Sequence, residues 1–112
     1  MIYYIYALIC PITKDIRYIG KTKHPKSRYN QHLKDAEKRN KTEKQKWIIK
    51  LKSKNMKPLL QIIDKTENEK EARILEEKTV IANINTVFNI HMPGKGSLSV
   101  AHYRETGRLT NV

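Results

Sequence analysis

Ile2, Tyr4 and Tyr6 alternate with Tyr3, Ile5 and Ala7, a period of two that suits a strand because successive side chains point to opposite faces. The polar stretch Pro11-Ile12-Thr13-Lys14-Asp15 interrupts this run, and a second short strand is predicted over 16–20. Pairing the two as a hairpin would bring Tyr6 and Tyr18 together. Pro25 suits a first helical turn, where its missing N–H costs nothing, so a helix is predicted over 26–38. Arg28 and His32, four residues apart, share one face of that helix. Arg39-Asn40-Lys41 is a polar break. Thr42 and Gln45 then have the spacing of a capping box, opening a second helix through 53 with Trp47, Ile48 and Leu51 inward and lysines outward. Asn55 lies past its end. Pro58 introduces a third strand over 58–63. Thr66 and Glu69 repeat the capping spacing and predict a third helix through 83.

Strands and helices in this order predict an α/β (α+β) fold, a small three-stranded antiparallel sheet flanked by helices, with one domain over 1–90. A chain of 112 residues can bury a single core but not two. Residues 91–112 differ in character: 93–97 form a Pro/Gly/Ser linker-like cluster, and 99–106 either hold a short helix or stay loose. This tail reads as an arm, as a segment packed on the domain, or as a remnant. No apolar run is long enough to span a membrane, and the first ten residues lack the basic start of a signal peptide. A soluble protein in the cytoplasm, or a host cell's cytoplasm, is therefore expected, with no membrane partner. Cys10 is the lone cysteine and reads as a small buried strand residue.

The charge sharpens the picture. Residues 14–57 carry 16 lysines and arginines against 4 acids, which accounts for the entire net charge of +12. Such a block attracts a polyanion, which makes nucleic acid the expected partner and Lys21, Lys23, Lys26, Lys44, Lys50 and Lys54 candidate phosphate contacts. Solvated amphipathic helices are the plainer reading of the same lysines. Arg28 offers a planar fork for phosphate oxygens, and an imidazole such as His32 exchanges a proton near neutral pH. The two tyrosines alone would more often be a core aromatic pair. In the third helix, Ile74, Leu75, Ile81 and Ala82 cluster on a helical projection, with Glu77 at the edge of that face and Glu76 nearly opposite.

These residues resemble the GIY-YIG nuclease family. Ile5-Tyr6 and Tyr18-Ile19-Gly20 match its two strand motifs, Arg28 and His32 match its following helix, and Glu77 and Asn89 match its later Glu and Asn. The likeness runs from about 2 to 90 and departs at Tyr4, where the family usually has Gly. It implies a metal-dependent DNA endonuclease. Tyr6 would orient or deprotonate the attacking water with Tyr18 as partner, and Arg28 and His32 would serve the phosphate. Glu77 would hold Mg²⁺ or another divalent cation such as Mn²⁺, and Asn89 would fix the Glu or bond substrate, a turn-forming Asn being equally compatible. A mobile-element, phage or repair setting is implied as well. One such site addresses one phosphodiester at a time, so nicking by a monomer is expected, with a dimer on DNA as the route to both strands. A non-catalytic basic module that stacks nucleobases on its tyrosines is the rival reading.

Overall fold

Strand β1 (Tyr3–Ile9) runs antiparallel to both β2 (Ile16–Thr22) and β3 (Leu59–Thr66), giving the sheet order β2-β1-β3. The computed structural model describes residues 1–93 and 99–107. Its central place explains why Ile5, Tyr6, Ala7 and Leu8 are all buried. Ile5 and Ala7 join Ile19, Ala72 and Val80 in the main core. Tyr6 and Leu8, being offset by one residue, belong to the opposite face.

Helix α3 (Glu69–Ala82) packs on all three strands, while α1 (Pro25–Arg39) and α2 (Glu43–Ser53) pack on each other. Pro25 stands in the first turn of α1, and Asn40 ends it in the left-handed conformation, its N–H bonded to Ala36 O. The expected capping box is formed: the Gln45 N–H donates to Thr42 Oγ1 and the Thr42 N–H to Gln45 Oε1, both at 3.1 Å. Ile48 and Leu51 are buried as expected, and Trp47 is half-buried. The α+β fold class is as anticipated. Tyr4, where the family usually has Gly, has no positive φ and pairs with Thr22 and Lys65, so the strand takes its side chain without strain.

Three local expectations change. Strand β3 runs on to Thr66 because Tyr3, Tyr4 and Ile5 pair with Thr66, Lys65 and Asp64 past a bulge at Ile63. Strand pairing thereby removes Thr66 from the helix. The cap of α3 is instead Asn68, whose side chain accepts the Glu71 N–H at 2.9 Å. The packed domain also extends beyond residue 90. Met92 and Val100 are 2% and 1% exposed within the main core, and helix α4 (Val100–Thr106) is tied down by Val100 N–H to Ile90 O and by Arg104 to the carbonyls of Ile84 and Val87. Most of the linker-like cluster, 94–97, and the end of the tail, 108–112, lie outside the described residues. Among the described residues, no helix is long and apolar enough to cross a membrane.

Gly20 faces Tyr6 across the hairpin, and a Cβ there would overlap the Tyr6 ring at Cζ and Oη. Its role is to leave that space open. Gly20→Ala should therefore destabilise the fold by about 1–3 kcal/mol, the usual cost of overpacking, in equilibrium denaturation. The cost should shrink in a Tyr6→Ala background. An equal cost in both backgrounds would mean that Gly20 does not exist to admit the ring.

Candidate active site

The hairpin register brings the two phenols together. Tyr6 pairs with Gly20 and Leu8 with Tyr18, so Tyr6 and Tyr18 lie diagonally on one face with ring centroids 6.3 Å apart. His32 enters from α1, its ring 5.9 Å from Tyr6 and edge-on to Tyr18 at 5.0 Å. Tyr6 Oη and His32 Nε2 are 2.7 Å apart, and both residues are only 1% exposed. Arg28, one turn before His32, is near enough to favour the ionised form of both phenols, but burial dominates and pushes both pKa values up. Neither tyrosine is therefore a phenolate at neutral pH. His32 goes the other way: burial, then Lys44 and Arg28, lower its pKa to about 3. The sequence suggested a group that titrates near pH 7, whereas the folded protein holds a neutral imidazole.

Residues 86–89 close the outer edge of β2. A bulge at Arg17 turns its carbonyl toward the Phe88 N–H, and the Thr86 hydroxyl donates to Ile16 O at 2.8 Å. The Asn89 side chain accepts the Ile19 N–H at 3.0 Å and donates to Ile19 O at 2.8 Å. Its amide thus acts as a missing strand neighbour, locking the backbone next to Tyr18. Beside it, the Arg17 guanidinium lies 4.0 Å over the Phe88 ring, which meets Trp47 at 5.7 Å. No sequence signal linked these three residues, because the contacts span separate elements.

A cavity of about 500 Å³ opens between β2, the start of α2, α3 and residues 88–93, with Tyr18, Lys44, Glu76, Phe88 and Asn89 in its wall. The carboxylate it receives is Glu76; Glu77, the residue favoured by projection and motif, is not in the wall. Glu76 lies four residues from Ala72 and four from Val80, both fully buried, so the three share the inward face of α3. Ile74, which the projection counted as inward, is 45% exposed. Burial raises the Glu76 pKa, with Lys21 opposing. Among the described residues no three His, Cys, Asp or Glu side chains gather into a metal cluster.

The candidate phosphate contacts separate by exposure. Lys23, Lys26, Lys50 and Lys54 are exposed, and Lys21 is half-buried. Lys44 departs from expectation, its Nζ lying 3.1 Å from His32 Nδ1 and 4.5 Å from the Tyr18 ring centroid.

The molecule is thus an α+β domain whose three-stranded antiparallel sheet gathers two phenols and an imidazole, with Tyr18 and the helix carboxylate Glu76 in the wall of one cavity. The model of the GIY-YIG catalytic domain matches residues 2–86, and the chain belongs to the GIY-YIG family of nucleases. No curated protein and no solved structure matches it.

The buried imidazole makes stability depend on pH. In the unfolded chain His32 takes up a proton near pH 6.5, whereas in the fold it faces Lys44, Arg28, Tyr6 and Tyr18, with only Asp35 favouring the charge. Its folded pKa is depressed, so stability falls as pH drops from about 6.5 towards 3, by up to about 1.4 kcal/mol per pH unit for one proton. Urea denaturation between pH 7 and 5 should give a shallower loss for His32→Gln than for the parent. Parallel slopes would mean that the folded protein accepts the proton.

Proposed function

We propose that this chain is a divalent-metal-dependent DNA endonuclease that hydrolyses one phosphodiester at a time, nicking DNA as a monomer. The observation that carries this reading is the meeting of Tyr18 and Glu76 in the wall of one cavity, with Tyr6, His32 and Arg28 directly behind. Hydrolysis needs a held water, an acceptor for its proton and positive charge around a phosphate that becomes more negative. The tyrosine pair orients the water. Arg28 supplies a permanent cation to phosphate oxygens. His32, neutral, keeps the Tyr6 hydroxyl in place, and Asn89 holds the Ile19 backbone so that Tyr18 stays at the cavity.

Glu76 suits a hard divalent cation, Mg²⁺ or Mn²⁺, because it is a half-buried carboxylate whose charge is poorly compensated, and Mg²⁺ commonly takes one or two carboxylates together with water and substrate phosphate. Bound there, the cation would offset the charge that develops on the phosphate and help a phenol to ionise. The exposed Lys23, Lys26, Lys50 and Lys54, with Lys21 nearer the carboxylate, form the surface on which the DNA backbone would lie. A second cut on the opposite strand would need a second protomer related by two-fold symmetry, or release and turning between cuts.

The test is a time course on supercoiled plasmid with and without Mg²⁺. The parent should yield open circles first and linear DNA late. Glu76→Gln should lose cleavage by about a hundredfold or more, the scale of removing charge stabilisation from a transition state, while still binding DNA. Glu77→Gln should cut within a few-fold of the parent. Normal cutting by Glu76→Gln with loss in Glu77→Gln would return the metal to Glu77. Binding without any cleavage in Mg²⁺ or Mn²⁺ would make the domain a non-catalytic binding module, and prompt linear product would defeat nicking.

A further inference from the structure

Lys44 is the second residue of α2 and sits within the charge block, where composition alone assigns it to the DNA backbone. Its position says otherwise. The ammonium nitrogen is 3.1 Å from His32 Nδ1 and 4.5 Å from the centroid of Tyr18, and the residue is half-buried. Thr42 and Gln45 fix it from both sides, because the capping box they form holds the first turn of α2 in one geometry. An ammonium has three donors and no lone pair, so at this distance it can only donate. The Nδ1 that receives this bond must carry its lone pair, and the proton of a neutral imidazole then resides on Nε2. That nitrogen faces Tyr6 Oη at 2.7 Å.

We propose that Lys44 is a positioning residue that sets the His32 tautomer and thereby the direction of the hydrogen bond at Tyr6. The order is Lys44 to His32 to Tyr6, each group donating to the next. In this arrangement Tyr6 Oη accepts from Nε2–H, so its own proton is directed away from His32. With the opposite tautomer the Tyr6 O–H would donate to a bare Nε2, and the phenol would be held in its protonated form by its neighbour. Lys44 thus decides whether His32 supports or opposes the loss of the Tyr6 proton. The neutrality of His32 is consistent with this, since burial and the facing cations Lys44 and Arg28 lower its pKa to about 3. Tyr18, edge-on to His32 and below the Lys44 ammonium, keeps the imidazole from turning over. The inference rests on the endonuclease reading only for its consequence in cleavage; the tautomer itself needs neither DNA nor metal.

The experiment is ¹⁵N NMR on the imidazole-labelled full chain without DNA or Mg²⁺, at pH 7, assigned with His32→Gln. The parent should give the pattern of an Nε2–H imidazole for His32, and Lys44→Arg, which can still donate to Nδ1, should retain it. Lys44→Met should shift His32 towards the Nδ1–H form. In plasmid cleavage with Mg²⁺, Lys44→Met should lose about tenfold or more, the lower part of the range for a positioned proton-transfer group. Its DNA affinity should stay within a few-fold, and Lys44→Arg should recover much of the loss. An Nδ1–H His32 in the parent, or an unchanged tautomer in a folded Lys44→Met, would overturn the proposal. So would a Lys44→Met protein whose only defect is weaker DNA binding, which would return Lys44 to the phosphate surface. If the parent does not cleave at all, the endonuclease reading fails while the tautomer result still decides the role of Lys44.

Discussion

The hydrogen bond between Tyr6 and His32 is the contact around which the rest of this molecule is arranged. It joins the central strand to the first helix through two residues that are each 1% exposed. A polar pair so deeply buried is costly unless every donor and acceptor is matched. Here the matching is complete, for no buried side-chain nitrogen or oxygen among the described residues lacks a partner. Gly20 leaves room for the phenol, Lys44 satisfies the far side of the imidazole, and Tyr18 flanks it. Changing any of these disturbs a low-dielectric network in which each bond depends on its neighbours.

The site stands at the edge of the sheet for a related reason. Strand β2 has β1 on one side only, so its outer N–H and C=O groups would face open space. Thr86, Phe88 and Asn89 meet several of them without forming a fourth strand. An irregular segment closes the edge yet leaves a cavity beside Tyr18, which a fully paired strand would fill. A rigid backbone under the Tyr18 phenol and open space above it are thus supplied together, by side chains acting in place of a strand.

The electrostatics divide along the same line. Outside, the lysines of residues 14–57 give a strongly positive surface suited to a polyanion. Inside, burial keeps the tyrosines protonated and the imidazole neutral, and raises the pKa of Glu76. The interior is thus poor in compensating charge.

What could be read from the sequence was what local geometry controls. The alternation around Tyr6, Pro25 at a first turn, and the pair Thr42 and Gln45 specify elements through contacts a few residues apart, and those elements form as expected. The two tyrosines and the Arg28–His32 spacing follow, since a hairpin and one helical turn suffice to bring them together. Tertiary packing decided the rest. Thr66 went to the sheet and the cap passed to Asn68, because strand pairing with Tyr3 outweighs a capping hydrogen bond. Glu76 rather than Glu77 lines the cavity because the inward face of α3 is set by where Ala72 and Val80 meet the sheet, and the small Ala72 adds little to an apolar projection. Met92 and Val100 joined the core across a segment that reads as a linker. Asn89 closes on Ile19 across 70 residues, and Lys44 became a partner of His32 through the packing of α2 on α1. Such contacts depend on how separate elements dock, and no short-range spacing along the chain encodes it.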